Sequence, residues 1–108
     1  MDHLTEIYET LRAEGLCKTQ ADFSMTWLGR SAHYFAQVKG QAANVSMTSL
    51  HLLASRLEFA SFIAGKVAPY ETYLRIRAAS VAAKVMCQGE YELRFVPPWY
   101  RVTAINLN

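Results

Sequence analysis

The sequence predicts a mainly α fold, a bundle of four to five helices followed by a short C-terminal β hairpin or edge strands. Three observations predict it. Apolar residues recur at helical spacing along most of the chain, most regularly at Leu50, Leu53, Ala54 and Leu57. Gly15, Gly29 and Gly40 each follow an amphipathic stretch, where a helix would stop. Near the end, Tyr91, Leu93 and Phe95 alternate with Glu90, Glu92 and Arg94, the period of a half-buried strand. With 108 residues the chain has room for one domain. Residues 4–66 form the expected bundle, and 69–108 a helix plus strands serving dimerisation.

Each element has its own signal. Leu4, Ile7, Tyr8 and Leu11, interleaved with Glu6 and Glu9, predict a first helix over 3–14 capped by Gly15. Thr19 offers an N-cap with Asp22 three residues on, and a helix over 20–28 carries Ala21, Phe23, Trp27 and Leu28. Ser31 can cap a third helix over 32–39, with Tyr34, Phe35 and Val38 as its apolar residues. Ser46 caps a fourth, which runs through Phe59, Phe62 and Ile63 to Gly65. Pro69 suits the first position of a fifth, which Gly89 ends. Residues 99–107 read as extended after Pro97-Pro98.

Composition removes several classes. The 52% apolar content supports a core, yet no apolar run reaches the roughly 18–20 residues of a membrane span. The start, Met1 to Glu6, has neither a basic nor an apolar leader region, so a cytoplasmic protein is expected. Cys17 and Cys87 lack CxxC spacing and read as buried thiols of a reducing compartment. No Gly-rich phosphate loop, HExxH or GxSxG is present, and His3, His33 and His51 fall on separate elements. No cofactor, metal site or enzymatic step is expected.

Three short helices separated by glycines, then a long apolar one, is the plan of a helix-turn-helix bundle. That motif needs Gly at the tight turn, here Gly29, and apolar residues such as Phe35 and Val38 to dock its second helix. Over Ile7 to Leu57 the chain resembles the lambda-repressor/Cro type of DNA-binding domain, in the pieces Thr19-Gln20-Ala21, Gly29-x-Ser31 and Gln37-x-x-Gly40. Phe23-Ser24-x-x-Trp27-Leu28-Gly29-Arg30-Ser31 also resembles a group of short uncharacterised bacterial proteins. Two departures stand out. Gln20 to Gly29 is one residue longer than the family's spacing, which requires a longer helix or an altered turn. Arg30 stands where the family has an apolar residue.

The first resemblance implies roles. Ser31, Ala32, His33 and Gln37 would meet base edges, Gln pairing with adenine and Ala packing on a thymine methyl. Thr19, Gln20, Arg30, Lys39, Gln41 and Asn44 would hold phosphates. Charge supports this: from Phe23 to Leu57 there is no acidic residue, while Arg30, Lys39, Arg56, His33 and His51 lie there. The net charge is only +2. The aromatic residues Tyr70, Tyr73, Phe95, Trp99 and Tyr100 exceed what a four-helix core needs. They either complete a five-helix core or build a dimer interface, for which Tyr91, Phe95, Trp99 and Tyr100 are the candidates. The expected function is a homodimeric transcriptional regulator on double-stranded DNA. The alternative is a helix-turn-helix-derived module or inhibitor, phage- or plasmid-associated, that binds a protein partner instead.

Overall fold

The structure, a computed structural model, describes residues 3–40 and 44–95, with side chains as far as Cys87. It is mainly helical. Helix α1 (His3–Ala13) buries Leu4, Ile7, Tyr8 and Leu11. Its chain leaves through Leu16, whose N–H donates back to the Leu11 carbonyl at 2.9 Å. Helix α2 (Gln20–Asp22) is a single turn that runs on as a π-helical turn, Phe23–Trp27. Helix α3 (Tyr34–Val38) is also short. Helices α4 (Met47–Val67) and α5 (Tyr70–Phe95) form a long hairpin.

The caps explain the starts. Thr19 Oγ1 accepts from the Asp22 N–H at 3.1 Å, and Asp22 Oδ2 accepts from the Lys18 N–H at 3.0 Å. This is the expected reciprocal cap, reaching one residue further back than a standard capping box. Ser46 Oγ accepts from the Ser49 N–H at 3.1 Å, as expected for α4. Pro69 supplies the first accepting carbonyl of α5, bonded by Tyr73 N–H at 3.1 Å, so the helix begins one residue after it.

An aromatic triad sits at the centre. The rings of Tyr8, Phe23 and Phe35 have centroids 4.9–5.4 Å apart, joining α1, the π turn and α3. Leu28, Val38, Val45, Leu50, Leu53 and Leu57 close around them, and Ala79, Ala83 and Cys87 of α5 cover the other side. The small residues of α5 let α1 and α4 come close.

Four expectations need correction. Gly89 does not end α5: the backbone is helical to Phe95, so the strand expected at Tyr91, Leu93 and Phe95 is absent. Extending an existing helix avoids the nucleation cost, and Glu, Leu and Arg are good helix formers, whereas six alternating residues carry little weight alone. Residues 99–107, expected to be extended, lie outside the described residues. Gly65 does not end α4 either: the helix runs on to Val67, and a Cβ at Gly65 would stand 3.3 Å from the Tyr73 ring, so the glycine serves helix packing. Helix α3 starts at Tyr34 rather than 32, and Ser31 gives it no side-chain cap. Finally, the segment 20–28 is α-helical only in its first turn.

Candidate nucleic-acid interface

The turn between the π segment and α3 is built on Gly29. Its φ is +65°, a region that side chains with Cβ avoid, and a Cβ would lie 2.5 Å from Leu52 Cδ2 of α4. Before it, the Leu28 N–H donates to the Phe23 carbonyl at 3.1 Å and the Arg30 N–H to the Ser24 carbonyl at 2.9 Å. The first is the five-residue bond of a π turn.

Ser24, fully buried, joins the two segments. Its hydroxyl donates to the Gln20 carbonyl at 3.0 Å and accepts from the Phe35 N–H at 2.9 Å. It caps α3 from outside that helix, the role expected of Ser31. Phe35 and Val38 are buried as expected. The Gln37 N–H donates to the His33 carbonyl at 3.2 Å, so His33 and Gln37 stand one turn apart on the outward side with Ala36.

The candidate base-contact residues lie together: Ser31, His33 and Gln37 are exposed and Ala32 half-buried. Arg30 is exposed, with its guanidinium carbon 4.7 Å from the centroid of the Tyr34 ring. In that stacking the stem and planar head of Arg30 cover the ring. The Tyr34 hydroxyl accepts from the Ser46 N–H at 2.9 Å, tying α3 to the start of α4. Lys39 and Asn44 are exposed nearby in the chain, and Gln41 lies outside the described residues.

Thr19 and Gln20 are placed differently. The Thr19 hydroxyl already serves as the α2 cap. Asp22 stands beside it, and its carboxyl is held below the usual range, first by the Lys18 N–H and then by the Thr26 hydroxyl. It is therefore charged at neutral pH and opposes a phosphate at that corner. Of the dimer candidates, Tyr91 and Phe95 fall on α5 beyond its described side chains, and Trp99 and Tyr100 lie outside the described residues.

Two features escaped sequence reading. A groove of about 420 Å³ lies between the π turn and α4, lined by Thr26, Trp27, Ser55, Arg56, Phe59 and Ala60. Trp27 is buried there, and among the described residues its Nε1 is a buried donor with no acceptor. A larger groove of about 590 Å³ lies between α4 and α5, lined by Phe62, Tyr70, Tyr73 and Arg77 among others. No spacing in the sequence distinguishes either from core. Burial pushes the Cys17 thiol up to about 11 and raises that of Cys87, so both are protonated and poorly nucleophilic at neutral pH.

Among the described residues no three His, Cys, Asp or Glu converge as a metal site, and no helix is long and apolar enough to cross a membrane. A family model matches residues 4–88, and the chain belongs to that family, the family of unknown function DUF6626. No curated protein and no solved structure matches it.

Proposed function

We propose that this protein binds double-stranded DNA as a homodimer in the cytoplasm and regulates transcription, with α2, the π turn, Gly29 and α3 acting as a helix-turn-helix unit. The observation that carries the reading is that Arg30, Ser31, His33, Gln37 and Lys39 are exposed around a docked α3, in a stretch of sequence from Phe23 to Leu57 that contains no acidic residue. Ser31, Ala32, His33 and Gln37 are the proposed base contacts. Arg30, Lys39 and Asn44 are the proposed phosphate contacts, and no catalytic step is involved. The π turn supports the reading, because it lets a segment one residue longer than the lambda-repressor/Cro spacing still reach a glycine turn.

The test is fluorescence anisotropy on DNA from upstream of the protein's own gene and on sequences selected from a random pool, each across a salt series. Gln37→Ala is expected to cost about 1–3 kcal/mol on the specific site and to relax one base position. Lys39→Ala is expected to weaken all sequences alike and lower the salt slope by about 1. No DNA binding at low salt, or equal loss by Gln37→Ala on every sequence, would sink base readout by α3.

A second reading has its own observation. Phe59, Ile63 and Val67 are exposed on α4 beside the Trp27 groove, an apolar stripe that fits a protein partner better than a phosphate backbone. Retrieval of one stoichiometric protein partner, lost on Phe59→Glu, together with no DNA binding, would favour it.

A further inference from the structure

Helix α5 carries apolar residues on two opposite sides. Ile76, Ala79, Ala83 and Cys87 are buried in the bundle. On the outward side Tyr70, Leu74, Ala78, Val81 and Val85 are exposed, where a surface helix ordinarily carries polar residues. Leu74, Ala78, Val81 and Val85 follow intervals of four, three and four. That spacing keeps one seam turned toward a partner helix. The three larger ones are 45%, 48% and 57% exposed. At the start of α5 the exposed Tyr70 extends this side.

We propose that this seam is the contact between two copies of the chain, α5 lying antiparallel on its counterpart about a two-fold axis between Ala78 and Val81. Antiparallel pairing sets Leu74 against Val85 and Ala78 against Val81, each contact occurring twice as two-fold symmetry requires. Parallel pairing would set Ala78 on Ala78 and leave a gap, which packed interfaces avoid. Of the cations flanking the seam, Lys84 and Arg75 are bonded to Glu58 and Glu14 of their own chain, which offsets part of the repulsion between two copies. Tyr70, Leu74, Val81 and Val85 together offer on the order of 400 Å² of mostly apolar surface. A standard interface takes about 800 Å² per partner, and Ala78 within the seam with the stems of Arg77 and Lys84 at its edge supply part of the rest. The pairing deepens the dimer part of the proposed function and does not depend on DNA.

Sedimentation velocity of the full chain, without DNA at micromolar concentration, is expected to give the dimer mass. Val81→Glu is expected to give a monomer of unchanged helical circular dichroism, while Phe59→Glu, off the seam, remains a dimer. Leu74→Cys mixed with Val85→Cys is expected to cross-link on mild oxidation, and Leu74→Cys alone is not. If Val81→Glu loses its helical signal, the cysteine pair decides. A monomeric wild type, a dimer that survives Val81→Glu, or self-cross-linking Leu74→Cys would each overturn the proposal. Because the mass is read without DNA, its failure leaves base readout to the anisotropy experiment.

Discussion

Ser24 shows how much one side chain can organise. Placed in the π turn, its hydroxyl satisfies the first buried amide of α3 while bonding its own helix. A buried N–H left without an acceptor costs more than the bond was worth. Ser24→Ala is therefore expected to destabilise the fold by about 1–3 kcal/mol in urea unfolding, with an unchanged slope. A change below about 0.5 kcal/mol, the range of ordinary surface substitutions, would mean that another group or water caps Phe35. Ser31 had the better claim from sequence, since it precedes the helix and has the right chemistry. Burial decided otherwise: Ser31 is exposed and Ser24 is not. A cap donated from an earlier helix leaves no local pattern to read.

At the scale of elements, the buried faces of α1 and of the first half of α4 were legible because their large apolar residues recur at helical spacing. In α5, by contrast, the large apolar residues Leu74, Val81 and Val85 are exposed and smaller ones such as Ala79 and Ala83 are buried. The cap of α4 at Ser46 was legible too, as was the burial of Phe35 and Val38 that docks α3. The π turn was not, because one added residue leaves Phe23, Trp27 and Leu28 apolar under either winding. The end of α5 was misread because a glycine and a brief alternation outweighed helix propagation. Gly29 was read correctly as the turn, and the structure adds its second constraint, Leu52. Gly29→Ala is expected to cost about 1–2 kcal/mol for the left-handed backbone, plus whatever moving Leu52 requires. In a Leu52→Ala background the penalty should shrink toward the backbone part alone, which a double-mutant cycle measures. An identical penalty in both backgrounds would mean that Leu52 gives way freely.

For the whole molecule the question is what fastens the long hairpin to the first half of the chain. Besides the core, the carboxylate of Glu14, just past α1, is hydrogen-bonded to the Arg75 side chain on α5. Arg75 holds the Glu14 carboxyl below its usual value of 4.5. A carboxyl lowered by folding stabilises the native state above its ordinary range, and that contribution is lost as pH falls through the lowered value. Glu14→Gln is expected to reduce the denaturation midpoint modestly at pH 7, where half-exposed pairs contribute little. Well below pH 4.5 wild type and variant should converge. A gap that persists in acid would assign the effect to packing rather than charge. The proposed DNA surface and the proposed dimer seam fall on different helices, α3 and α5, so each can be tested without removing the other.

The brevity of α3 has a consequence for how such a chain can diverge. Five residues cannot hold a helix in water, so the element exists only because Phe35, Val38, Ser24 and Tyr34 pin it from behind. The residues that fold it and those it displays are therefore separate sets. Ser31, His33, Ala36 and Gln37 can change while the scaffold stays intact. The same division makes the outward positions a natural place to randomise in a library, since most members would be expected to keep the fold and differ only in the surface that α3 displays.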